Sequence, residues 1–179
     1  METNRILLRP FKNEDIQDVF EYLKDLKVHC FLDSKVDCIE EISMRERLEN
    51  PMYYFAVVHK ESGKVIGEIF AMPEGERLEH LNTFSPCWMM NEQYQNKGYM
   101  YEAACLFFDY LFNEKNARRI YAYCEDDNYA SQKLCEKLGM RQEGLFKEFV
   151  SFISDENGNP IYENTYQYAL LKKEWKNAF

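Results

Sequence analysis

The spacing of apolar and polar positions along the chain predicts helices and strands that alternate only in part. Ile16, Val19, Phe20 and Leu23 recur at the interval of an amphipathic helix, and Asn13 before Glu14-Asp15 gives it a capped, acid-rich first turn. A second helix is expected from about Cys38 to Glu49, closed by Asn50-Pro51. Tyr53–His59 and Val65–Ala71 are apolar, β-branched and aromatic runs around Glu61-Ser62-Gly63-Lys64, the pattern of a hairpin. A strand over Glu79–Met90 completes a meander. Gln142–Ile153 and Tyr162–Leu171 flank a second strong turn, Asp155-Glu156-Asn157-Gly158-Asn159-Pro160. Because helices separate the strands in only part of the chain, a mixed sheet is expected instead of a fully parallel one.

Two junctions carry more than structure. At the first, the strand ending Trp88-Met89-Met90 breaks into Asn91-Glu92-Gln93-Tyr94-Gln95-Asn96-Lys97-Gly98, which opens the helix-patterned Tyr101–Phe112. A polar loop with one glycine, leading into a helix whose free N–H groups and positive dipole end attract anions, suits a phosphate, and Lys97 adds a formal charge. At the second, Arg119–Cys124 reads as a strand, Asn128 as an N-cap and Gly139 as a helix stop. Ser131, Leu134, Cys135 and Leu138 then share one helical face. A serine at the head of an apolar stripe either bonds back to the preceding turn or faces a site.

Composition narrows the setting. At 179 residues and 46% hydrophobic content, with no repeat, low-complexity tract or linker, residues 1–179 read as a single α/β domain that buries about 70% of its unfolded surface. The formal charge of −9 argues against nucleic acid as a partner and favours a cationic one. Acidic groups gather at Glu74, Glu76 and Glu79, at Glu125-Asp126-Asp127 and at Asp155-Glu156, although most read as solvated surface. No run reaches membrane-spanning length and no basic or secretory leader opens the chain, so no membrane partner and a cytoplasmic location are expected. Six cysteines without a Cys-x-x-Cys pair read as reduced, mostly buried thiols. His29, His59 and His80 are scattered, so no metal is expected. The loop lacks Gly-x-Gly-x-x-Gly, and no Gly-x-Ser-x-Gly or catalytic Cys/His signature appears.

Gln95-x-x-Gly98-x-Met100, followed by Asn128-x-x-Ser131 and Lys137-Leu138-Gly139-Met140, resembles the Gcn5-related N-acetyltransferase (GNAT) superfamily, most closely its RimJ/RimL-like branch. The likeness spans nearly the whole chain: Arg5–Phe11 looks like the branch's first strand and Tyr168–Trp175 like its last. It implies a mixed, mostly antiparallel central sheet flanked by helices, with the strands ending at Met90 and at Cys124 splayed around a cofactor cleft. Acetyl-CoA is the implied acyl donor. Its pyrophosphate would lie on the amides of Gln95, Asn96, Lys97, Gly98, Tyr99 and Met100. The pantetheine arm would lie along Trp88, Met89 and Met90 with Asn128 in contact, and Lys97 or Lys133 would approach the nucleotide phosphates. The implied reaction is direct attack of a primary amine on the thioester, with the hydroxyl of Ser131 as donor to the leaving sulfur. The acceptor is a protein N-terminal amine or a small molecule such as a polyamine, amino sugar or amino acid. The rival class is a catalytically silent acyl-CoA-binding or interaction module.

The chain departs from the branch at Met100, where a small residue is usual, at Cys87, where glycine is common, and at Asn164, where aspartate is common; Cys135 occupies the position where many family members carry tyrosine. No general base is assigned. Glu68 shares a strand face with Ile66 and Phe70, which suits either a functional carboxylate or a solubilising charge on an edge strand. Aromatic residues make up 16% of the chain. Phe107, Phe108 and Tyr110-Leu111-Phe112 read as core, whereas Phe146, Phe149, Phe152, Tyr162, Tyr166 and Tyr168 suit an acceptor pocket or a homodimer interface.

Overall fold

A computed structural model describes residues 1–74 and 81–176. Glu76, Glu79 and His80, and the start of the strand expected over Glu79–Met90, lie outside them.

The described residues build two four-stranded sheets. In the first, β1 (Ile6–Arg9), β2 (Tyr54–His59), β3 (Val65–Phe70) and β5 (Cys87–Met90) pair in that order, all antiparallel. In the second the order is β4 (Thr83–Phe84), β6 (Arg119–Glu125), β8 (Pro160–Leu171) and β7 (Arg141–Ser154), with β4–β6 parallel and the other pairs antiparallel. The strand expected up to Met90 is therefore two strands serving two sheets. The switch falls at Ser85-Pro86, where proline has no N–H for a ladder. Thr83-Phe84 pair with Arg119-Ile120, whereas Cys87–Met90 pair with Gly67–Phe70, so β5 and β6 diverge and leave a gap.

Helices α3 (Tyr99–Asn113) and α4 (Tyr129–Lys137) cover one side of the sheets. Phe107, Phe108, Leu111 and Phe112 are fully buried in a core with Ile120, Ala122 and Cys135. Each such phenylalanine contributes about 1.5–3 kcal/mol by leaving water. On the opposite side α1 (Ile16–Leu23) packs Val19, Tyr22 and Leu23, and Met44 just before α2 (Arg45–Glu49) packs with them, against Tyr54, Val58 and Met89. Among the described residues no helix is long and apolar enough to cross a membrane.

Three local expectations change. Asn13 does not cap α1: it opens a 3₁₀ turn, and the buried Asp15 carboxylate takes the Lys12 amide (2.8 Å) and two bonds from Arg9 (2.7 Å each). The helix expected over Cys38–Glu49 is a turn at Ile39–Glu41 and the five-residue α2, separated by extended Ile42. The Glu41 carboxylate caps that turn by accepting from the Asp37 and Cys38 amides, while α2 is anchored by the inward-facing Arg47.

The third change concerns Glu68. Its strand β3 is interior, between β2 and β5, so it is not an edge charge. The side chain is fully buried and accepts from Arg47 Nε (2.7 Å) and Nη2 (2.9 Å), Tyr22 (2.8 Å) and Tyr54 (3.1 Å). Four donors saturate a carboxylate, so Glu68 has no lone-pair direction left for a substrate proton. Burial, then the Glu68 charge, push both tyrosine hydroxyls above their ordinary range and hold them as neutral donors.

Candidate active site

The loop after β5 has a defined shape. Asn91 donates its amide to Ile66 (2.8 Å), and its carboxamide oxygen takes the Gln93 amide (3.0 Å), starting the turn Glu92–Tyr94. Asn96 (φ 58°) and Gly98 (φ 83°) are left-handed, and α3 begins at Tyr99. The ladder of α3 starts with Glu102 N to Gly98 O (3.1 Å), so the amides of Tyr99, Met100 and Tyr101 precede it. The loop is clamped from outside. Arg5 bonds the Lys97 carbonyl (3.2 Å) and Glu102 (Nε, 2.8 Å) and lies 4.7 Å above the Tyr99 ring, while Thr3 donates to the same Glu102 (2.6 Å).

A cleft of about 910 Å³ runs from this loop past the gap between β5 and β6 to the first turn of α4, with a second limb along the end of α1. Trp88, Met89, Met90, Gln95, Asn96, Gly98, Tyr99, Met100, Asn128, Ser131 and Lys133 all border it. Lys97 does not, because its ammonium lies 5.5 Å over the Tyr94 ring. Gln95 turns its side-chain amide to the Met90 carbonyl (3.1 Å), so only its backbone faces an anion. Met89 is mostly buried in the α1-side core.

Lys137, not singled out from the sequence, also borders the cleft, its ammonium 4.0 Å over the Tyr101 ring. The signal was present: Lys133 and Lys137 are four apart and share a face of α4.

Helix α4 is set as its residues require. The Asn128 side chain accepts from the Ser131 amide (3.2 Å), and Gly139 (φ 78°) ends the helix. Ser131 does not turn back onto its helix; its oxygen accepts from the Trp88 indole N–H (3.2 Å), which reaches over from β5. With that acceptor site taken by Trp88, the hydroxyl proton is free to point elsewhere. Cys135, one turn on, is fully buried with its sulfur 3.8 Å from Cys124; that contact and then burial push its thiol far up, which makes it a neutral packing group. Asn164 is equally structural, donating to Asp126 (2.7 Å) and accepting the amide of Glu148 (3.0 Å), a left-handed residue in irregular β7.

These features fit a coenzyme A arm. Helix-start amides and the lysines at 133 and 137 form one anion-attracting end, and the diverging strands leave unpaired backbone beside the cleft.

Comparison with known proteins gives the same answer. The model of the "Acetyltransferase (GNAT) domain" matches residues 5–141. The uncharacterized N-acetyltransferase YnaD of Bacillus subtilis (strain 168) is 34% identical over 176 residues, covering 97% of each chain. A crystal structure of a GNAT-family acetyltransferase from Bacillus anthracis superposes with a TM-score of 0.80 at 31% identity, over 97% of this chain and 99% of the other. The ribosomal-protein-S5-alanine acetyltransferase of Vibrio fischeri shares the fold, with a TM-score of 0.71 at 22% identity over 98% of each. The fold implies acetyl-CoA as acyl donor, and the chain belongs to the GNAT family of acetyltransferases.

Proposed function

We propose that this N-acetyltransferase acts on the N-terminal amine of a protein, in the manner of the RimJ/RimL-like branch, with its donor in the cleft between β5 and β6. The Trp88–Ser131 bond carries the catalytic part of the reading, because it fixes the Ser131 oxygen across the gap and leaves its proton available. Bound acetyl-CoA supplies an activated thioester. Gln95, Asn96, Gly98, Tyr99 and Met100 border the cleft, where their backbone amides would hold its pyrophosphate; Asn128 would contact the arm, and Lys133 and Lys137 would face the nucleotide phosphates. As the C–N bond forms and the C–S bond breaks, Ser131 donates its proton to the departing sulfur. The proton shed by the attacking nitrogen restores the hydroxyl through solvent, so the exchange is neutral overall. Choice of a protein acceptor draws support from the S5-alanine acetyltransferase named above, which shares the fold along its length.

The test is acetyl-CoA turnover against peptides with free N-termini and a panel of small amines, scored by product mass. Ser131→Ala should lower kcat roughly ten- to a thousandfold with acetyl-CoA affinity nearly intact. A normal kcat with chemistry limiting removes Ser131 from the mechanism, and acetylation of small amines alone removes the protein acceptor.

A further inference from the structure

On the α1 side, below the end of β6, lies a second polar cluster. Glu125, the last residue of β6, is directly opposite Thr165 of β8, so the two side chains share a face. Glu163, two residues from Thr165, shares it too. The 3₁₀ turn His29–Ser34 covers them: His29 Nδ1 is 2.5 Å from Glu163 Oε1, and the Cys30 thiol lies near Glu125. Burial, then the Glu125 charge, push that thiol up, so it remains a neutral donor.

The cluster is short of partners. Thr165 is only 2% exposed, yet its hydroxyl oxygen has no hydrogen-bond partner, and neither has the buried Oε2 of Glu163. The buried Glu125 and the largely covered Glu163 place two carboxylates on this face, only Glu163 meets the His29 imidazole, and the unpaired Glu163 and Thr165 oxygens are costly to leave without a partner. An ammonium group, with several N–H donors and a positive charge, supplies what is missing. Among the described residues no group of three His, Cys, Asp or Glu could hold a metal ion, so an organic cation is the better occupant.

The position is also apt. The Glu125 carbonyl accepts from the Asn128 amide (3.0 Å) and the Gln132 side chain (2.9 Å), which ties this end of β6 to the helix that carries Ser131. Next to the carboxylates, Tyr123, Phe146 and Phe149 make an exposed platform with ring centroids 5.0–6.2 Å apart. Phe146 is paired with Thr165, which sets the platform on the same face as the acids.

Resting on the proposed function and extending it to the acceptor, we propose that Glu125, Glu163 and Thr165 bind the acceptor's ammonium group and that the Tyr123–Phe146–Phe149 platform selects an N-terminal residue with an apolar or aromatic side chain. Two tripeptide amides, one beginning with phenylalanine and one with glycine, and spermidine would be titrated calorimetrically into the full chain saturated with coenzyme A. The phenylalanyl peptide should bind at least tenfold more tightly than the other two. Glu125→Gln and Glu163→Gln should each weaken it tenfold or more with coenzyme A affinity unchanged, and Phe149→Ala should erase the preference over glycine. Unfolding midpoints confirm that each variant is folded. Equal binding of all three probes, or glutamine variants that bind like the parent, overturns this acceptor site. Turnover distinguishes the two claims: acetylation of peptides that is indifferent to both glutamates defeats the site alone, whereas tight, glutamate-dependent binding without acetylation defeats the proposed function alone.

Discussion

Removing Arg47 from Glu68 tests whether this carboxylate is a structural group. Arg47→Met takes away two charge-assisted bonds and leaves a fully buried carboxylate with only the Tyr22 and Tyr54 hydroxyls. Breaking one side of a buried ion pair costs about 3–5 kcal/mol, about a fifth or more of a typical total of about 5–15 kcal/mol. With a urea m-value of about 2 kcal/mol per molar, the unfolding midpoint should fall by about 1.5–2.5 M. The double variant Arg47→Met/Glu68→Leu removes the charge together with its partner. It should recover only part of the loss: apolar replacement of a buried pair is often neutral, but the buried Tyr22 and Tyr54 hydroxyls lose their acceptor. The assay is urea unfolding followed by tryptophan fluorescence, with acetyl-CoA turnover measured on the same samples. If Glu68 only holds α2 and α1 to β3, the double variant keeps kcat within a few-fold of the parent. A midpoint shift below about 0.5 M in the single variant would refute the energetic reasoning. A folded double variant whose kcat has collapsed would return Glu68 to the chemistry.

Gly98→Val forces a β-branched side chain into a left-handed backbone at φ 83°. It should cost about 1–2 kcal/mol of stability and weaken acetyl-CoA binding at least several-fold by calorimetry, and unchanged affinity in a folded variant would move the donor to another site. The Asp15 carboxyl is pushed up by burial, but the Arg9 bonds and the Lys12 amide outweigh this and hold it below its ordinary value. Its stabilisation is therefore complete above the unfolded carboxylate value, about 3.9, and disappears as pH falls through the lower folded value. Asp15→Asn should narrow the gap between unfolding midpoints at pH 6 and pH 3, and an unchanged gap would show that the pair contributes nothing.

Local physics settled a definable part of this protein. The cap at Asn128, the stop at Gly139 and the turn at 155–159 depend on residues only a few positions apart, so the sequence already contained them. The Ser131 stripe and the two hairpins were readable for the same reason, as period follows from helix and strand geometry alone. What the tertiary structure decided involves partners far apart in sequence. Glu68 could be read as an edge charge or a base until Arg47, Tyr22 and Tyr54 closed on it from α2, α1 and β2. Ser131 had two readings until Trp88, 43 residues away, took its oxygen. The stretch ending at Met90 looked like one strand because a period of two does not say which neighbour a strand pairs with; partner choice at Ser85-Pro86 is what opens the cleft. Glu125, Glu163 and Thr165 were ordinary polar residues in the chain, and only the β6–β8 register brings them together on one face, where the unpaired oxygens of Glu163 and Thr165 are costly enough to demand a partner.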